Sequence, residues 1–411
     1  MSLITPHQHS EKIDRVLARL YFPAIAFLCL FSIIHYFRVA HGLAAIWSGW
    51  SIGDWVINYA EGPTRRGLSG EVIFFIARVF DLKINWLIFT TQGVALILTV
   101  SLFLNVLRSK KLTFWYVVAC FSPGFFLLFT YYDSMAVGRK EILLFLTFML
   151  WVHLCNKNKL SAIKTIIFCG IYFCLTLTHE SFFFYSPYFC AAAWLDKCDT
   201  NKLSAISIPI SSAVAAALTF AFFKTIDPNA SCQQLLALGA LPEVCAGVLS
   251  AGPQDAMLLT KSYFHSFDLG SLFNLSGVFL LVLTPVYLII QTITIKKEQK
   301  YLWLTAIFCL IVFSLPLFIF AIDWGRWISM HTTLSVMMLL LALDNRAERQ
   351  NMPPSARPFA QFTTLTFAII LFSVFTLSYS LGHCCAQNFI KPLGPLDKIR
   401  HMSIFQAKSG K

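Results

Sequence analysis

Long apolar blocks separated by short polar connections recur from Leu20 to Gly382. Blocks near 20–37, 86–107, 113–131, 142–156, 164–178, 182–195, 203–223, 271–293, 301–321, 328–343 and 360–381 read as eleven spans, because about 20 apolar residues in a helix cross roughly 30 Å of hydrocarbon. The pattern predicts an all-α, polytopic integral membrane protein forming a single membrane domain over residues 1–411. The blocks ending at Cys155 and Leu195 are short, so a neighbouring pair could be re-entrant. The first block runs on without a small-residue cleavage site, which predicts a retained helix rather than a signal peptide. Between the first two blocks, "HGLAAIWSGW" and "GEVIFFIARVF" are too short to span. They predict interfacial helices in a first outer loop over 38–85, and a second long loop follows at 224–270.

Composition agrees with this pattern. The chain is 57% hydrophobic and 13% charged, against about 25% charged in an average soluble protein, so a sizeable soluble domain is not expected. Lysines and arginines gather beside alternate block ends, as at Arg15 and Arg19, Arg108 to Lys111, Lys157 and Lys159, and Lys296 to Lys300. By the positive-inside rule these connections are cytoplasmic. The expected setting is a bacterial inner membrane, with the amino terminus in the cytoplasm and the carboxyl terminus in the periplasm. The net charge of +12 then reflects topology and contact with membrane lipids. It does not form a basic soluble face, which excludes nucleic acid as a partner.

The remaining charge is concentrated in four stretches, "GDWVINYAEGPTRRGLSGE", "YYDSMAVGRKE", "THES" and "DWGRW", all assigned to the outer face. Convergence of charged, aromatic-flanked loops on one face suggests one site. Asp54 has no adjacent cation and is the candidate general base, although a lone Asp can also be a loop cap. Adjacent Arg65 and Arg66 suit a phosphate or diphosphate; paired with Glu61 and Glu71 they would instead pin the loop. Arg139, Lys140 and Arg326 suit an anionic substrate, with Asp323 beside Arg326. Asp133 could orient an acceptor hydroxyl or help to bind Mg²⁺ or Mn²⁺ shared with substrate phosphate. His179 and Glu180 sit in a turn where burial can perturb the histidine; without a second histidine a zinc peptidase is unsupported. Cys232 and Cys245 could form a disulfide in an oxidising compartment.

The order of these parts resembles the GT-C class of membrane glycosyltransferases, with Asp54 matching the first-loop acid and Asp133 the second-loop acid. That resemblance implies lipid-phosphate-linked sugar donors, Asp54 as the base activating a glycan acceptor, and Arg65, Arg66 and Arg326 on the donor phosphate. The second-loop DxD or ExD of some members is absent. In length and outer-face arginines the chain also resembles Wzy-type and EpsG-like polymerases of surface polysaccharides. Both imply attack of a sugar hydroxyl on an anomeric carbon with polyprenyl phosphate or diphosphate leaving. Two further classes remain open, a membrane acyltransferase with His179 as base and a transporter or flippase for an anionic lipid-linked substrate.

Overall fold

The structure is a computed structural model describing residues 6–42, 52–60, 62–133, 136–195, 205–222, 227–240, 242–245, 258, 260–262, 268–293, 295–345, 365–377 and 379–382. Among these residues the regular structure is helical: α1 Pro6–Gly42, α2 Gly53–Val56, α3 Gly67–Phe80, α4 Ile84–Leu107, α5 Phe114–Cys120, α6 Phe126–Tyr132, α7 Glu141–Asn156 and α8 Ala162–Thr178. A 3₁₀ turn, Glu180–Tyr185, leads to α9 Pro187–Leu195 and α10 Ser207–Ala221. Then come α11 Pro228–Ala237, α12 Leu269–Thr292, α13 Lys297–Phe320, α14 Trp324–Leu339 and α15 Leu365–Leu377.

Four of the described helices are long and apolar enough to cross a membrane: Ala18–Ala40 within α1, α4, α12 and α13. They mark the chain as a membrane-associated protein. The expectation of eleven spans, and of a GT-C-like architecture built on them, is thereby overturned. At 1.5 Å per residue, α7, α8 and α10 are about 22–26 Å long, short of roughly 30 Å. The block 113–131 is two seven-residue helices, α5 and α6, and 182–195 divides between the 3₁₀ turn and α9. Block 328–343 falls largely on α14, in which all 16 residues are buried. Its apolar character comes from packing in the core, since a helix hydrophobic on every side belongs inside a protein as readily as inside a bilayer.

Outward faces separate the two cases. Phe27 and Ile34 on α1, Val94 and Leu98 on α4, and Phe308 and Ile319 on α13 are exposed, which suits hydrocarbon and would be a liability in water. The core lies around α14, which packs against α7 and α12; α4 packs on α7, and α10 on α8. The break between α5 and α6 is satisfied internally. The Phe126 amide donates to Thr333 Oγ1 (3.0 Å) and the Gly124 amide to Ser122 Oγ (3.2 Å), as irregular backbone buried among helices requires. A Cβ on Gly124 would lie 2.9 Å from Val282, so the break is also a place where α12 approaches closely.

"GEVIFFIARVF" lies within α3, with Ile73, Phe74 and Ala77 buried and Val72, Phe75 and Val79 exposed. "HGLAAIWSGW" falls mostly outside the described residues. Cys232 and Cys245 are joined by a disulfide, with Cα atoms 5.3 Å apart.

Candidate functional site

The four charged stretches meet at one end of the helices: after α1, before α4 and α7, after α8 and α13, and at the start of α14. Each is held by local structure. Asp54 lies on the single turn α2, whose Trp55 Nε1 donates to the Gly138 carbonyl (2.6 Å). Gln92 of α4 donates to the same carbonyl and accepts from Tyr36 of α1 (3.0 Å). Gly138 has a φ of +83°, a conformation glycine adopts without strain. This fixes the "GRKE" loop that carries Arg139, Lys140 and Glu141. Arg66 is left-handed at φ 62°, an uncommon state for a side-chain-bearing residue. It turns the chain into α3 just where the arginine engages two carboxylates.

Those engagements are close. Arg66 Nε and Nη2 both donate to Glu180, at 2.8 and 2.7 Å, and Nη1 donates to Asp54 Oδ1 at 3.2 Å. Arg65 Nη1 is 3.8 Å from Glu180. Lys140 is fully buried; its ammonium donates to the Thr178 carbonyl at 2.9 Å and stands 3.7 Å from Asp54 Oδ2. Arg326 uses all three nitrogens: Nε faces Glu141, Nη1 donates to Asp323 (2.7 Å), and Nη2 lies 2.8 Å from His179 Nε2. Its guanidinium also stacks over Trp327 at 4.5 Å.

A guanidinium can only donate, so His179 Nε2 accepts from Arg326. Nδ1 faces Ser181, accepting from its amide at 3.3 Å with the hydroxyl 2.7 Å away. Burial, together with Arg66, Arg326, Lys140 and Arg139, holds the His179 pKa well below its usual range. The same surroundings act differently on the other groups. Burial opposes ionisation of Asp54, but Lys140, Arg66 and Arg326 outweigh it and its pKa falls. Glu180 is likewise penalised by burial yet brought down to about 2 by Arg66 and Arg65. Burial lowers Lys140 to about 8, partly offset by Asp54.

The sequence-derived candidates Asp54, Arg65, Arg66, Arg139, Lys140, His179, Glu180, Asp323 and Arg326 thus belong to one cluster. Asp133 stands at the end of α6, and the ion pairs that join Arg66 to Asp54 and Glu180 and Lys140 to Asp54 do not include it. Glu61 lies outside the described residues. Glu71 accepts the Tyr59 amide (3.1 Å), while Arg66 is held by Glu180 and Asp54. Among the described residues no three His, Cys, Asp or Glu side chains gather in a way that could hold a metal ion.

Beside the cluster is a cavity between α1, α4, α6, α7 and α14. Arg139, Glu141 and Arg326 form its charged side, and Leu96, Phe126, Phe129, Phe145 and Met330 its apolar side. The space open to water centres is about 70 Å³, several times the roughly 10–15 Å³ that admits one water. Glu141 is the residue that sequence reasoning passed over as a neighbour of Arg139 and Lys140. An acid in the first turn of a helix usually signals only favourable interaction with the helix dipole, so nothing local distinguished it. Asp54, in contrast, is absent from the cavity wall. Comparison with protein-family models, with characterised proteins and with solved structures gives no match.

Proposed function

We propose that this protein is a membrane glycosyltransferase that binds the phosphate or diphosphate of a lipid-linked sugar at the charged cluster and transfers the sugar to a glycan acceptor. The observation that carries this reading is a cavity with Arg139 and Arg326 on one side and apolar side chains on the other. Among the described residues, Arg65, Arg66, Arg139, Lys140 and Arg326 face Asp54, Glu141, Glu180 and Asp323, and His179 is neutral. Arg139 and Arg326 on the wall of a cavity whose other side is apolar favour an anionic group attached to an apolar chain. The apolar side of the cavity, next to α1 and α4, suits the chain of an amphiphile. Arg139 and Arg326, on its charged side, would stabilise charge developing on the leaving phosphate oxygen.

In this arrangement Asp54 orients Arg66 and Lys140. Both nitrogens of His179 are engaged by Arg326 and Ser181, which disfavours an acyltransferase that uses it as a free base. Arg19, Arg108, Lys111, Lys297 and Lys300 lie at the far ends of the long helices, which under the positive-inside rule supports a site on the non-cytoplasmic face of a bacterial inner membrane.

The test is binding of decaprenyl monophosphate to the purified full-length protein, alongside the composition of surface glycans in cells lacking it. Arg139→Ala is expected to weaken binding about tenfold or more, the scale of one hydrogen bond to a charged group. Equal affinity for uncharged decaprenol would overturn phosphate recognition, and unchanged glycans would overturn the transferase reading.

A further inference from the structure

We propose that the loop between α10 and α12 is a positioning element for the charged cluster: the turn that ends α11, closed by the Cys232–Cys245 disulfide, holds α2 and through it Asp54 and the loop of Arg139. A single turn of four residues such as α2 has no stability of its own. What packs against it therefore decides where Asp54 stands.

The contact is built by the stretch "LLALGA", Leu235 to Ala240. The Ala240 amide donates to the Leu235 carbonyl (3.0 Å) and the Gly239 amide to the Leu236 carbonyl (3.0 Å), and Gly239 has a φ of +75°. This pair of bonds around a left-handed glycine is the Schellman ending of a helix, which brings its two outer residues together as an apolar contact. Those residues are Leu235 and Ala240. Both are buried, whereas Gln233, Leu236 and Ala237 on the same helix are exposed. Leu235 and Ala240 join Trp55, Val56, Phe74 and Ile84 in a buried apolar cluster separate from the main core. The turn is thus a knob seated against α2, α3 and the start of α4.

From that cluster the connection to the site is short. Trp55 follows Asp54 in the chain, and its indole donates to the carbonyl of Gly138 at 2.6 Å, one residue before Arg139. Asp54 pairs with Arg66 at 3.2 Å and faces Lys140 at 3.7 Å. Movement of Trp55 would shift a partner of two cations and the Arg139 loop together.

The disulfide encloses the knob. Cys232 lies about one turn before Leu235 on α11, and Cys245 ends the 3₁₀ turn Pro242–Cys245 that follows Ala240. Both docking residues fall inside the closed ring, so the bond restricts the conformations open to the knob itself. Opening the bond frees the knob to leave α2, while the long helices keep a core of their own.

The experiment follows backbone hydrogen exchange by mass spectrometry in the purified full-length protein, oxidised and after reduction with tris(2-carboxyethyl)phosphine, with thiol counting to confirm that the bond is open. Peptides covering 52–60 and 136–140 are expected to exchange about tenfold or more faster when reduced, within the range that closing a loop of this size provides, and peptides of α14 to be unchanged. Equal exchange in the two states would overturn the proposal. A protein carrying both Cys232→Ser and Cys245→Ser is expected to exchange like the reduced wild type with or without the reductant; a response to the reductant there would overturn the role of this disulfide. Leu235→Ala tests the knob with the bond intact. It is expected to weaken decaprenyl monophosphate binding about tenfold, the scale of one hydrogen bond to a charged group, with affinity for decaprenol unchanged, and Leu235→Met is expected to restore it. A lower unfolding midpoint with both affinities unchanged would mean that the knob contributes stability alone and would overturn the positioning role. Should Leu235→Ala not fold, the oxidised and reduced wild type supply the same comparison of affinities. This binding arm rests on the phosphate recognition proposed above. Wild-type protein that does not bind decaprenyl monophosphate would remove that reading, and the exchange comparison would still decide whether the loop holds α2.

Discussion

Arg66 shows how strongly single side chains are committed in this site. Its left-handed backbone and its two-carboxylate grip on Glu180 and Asp54 mean that removing either partner strands charge in a buried place. Glu180→Gln is expected to destabilise the protein by about 3 kcal/mol, read as a lower midpoint of thermal unfolding in detergent. The pH dependence follows from the depressed carboxyl. Glu180 falls from its ordinary 4.5 to about 2, so its contribution is complete above about 4.5 and is lost as pH drops toward 2. The gap between wild type and Glu180→Gln should therefore close over that interval. Lys140 gives a slope of the same direction at higher pH. Its pKa is lowered from 10.5 to about 8, so the unfolded chain holds more protons between those values and stability rises with pH there. In Lys140→Met that rise should disappear from the unfolding curves.

Among elements, the tightest junction holds α14 in place. A Cβ on Gly325, in its first turn, would lie 1.8 Å from the Gly382 carbonyl oxygen. Backbone cannot swing aside as a flexible side chain can, so Gly325→Ala is expected to cost about 2–3 kcal/mol or more. Thermal unfolding in detergent measures it, and an unchanged midpoint would show that the segment around Gly382 does not pack there. Gly138→Ala acts on the "GRKE" loop by a different route. The positive φ becomes strained and the Gln92 amide, 3.2 Å from the added carbon, is crowded. A loss of about 1 kcal/mol or more is expected, together with weaker decaprenyl monophosphate binding because Arg139 and Glu141 are carried by this loop.

At the scale of the molecule, the four long helices set the charged cluster at one end and the basic connections at the other. Protease sites inserted near Ser109 and Lys296 should then be cut from the same side of sealed vesicles, and a site near Leu82 from the opposite side. Cleavage of all three from one side would mean that α4 does not cross. The outward-facing Val94, Leu98 and Phe308 carry that expectation, because apolar surface of this extent must meet hydrocarbon.

The sequence by itself determined the helical class, the membrane association and the four polar stretches that carry the site, because composition and hydropathy are local properties that survive without knowledge of the fold. It also supplied the unusual concentration of arginine and carboxylate in "GDWVINYAEGPTRRGLSGE". It did not determine how many apolar blocks cross a membrane, since an apolar residue facing protein and one facing lipid have the same hydropathy; α14, buried along its whole length, looks like a span for that reason. Nor did it reveal which carboxylate is committed. Asp54 stands alone among apolar neighbours in the chain, yet folding brings Arg66 and Lys140 onto it. Glu141 sits beside two cations in the chain, yet folding pairs it with the distant Arg326 on the wall of the cavity. Ion pairing is decided by distance in space and by the dielectric around each pair, and both come into being only when segments as far apart as residues 54, 141, 180 and 326 are packed together.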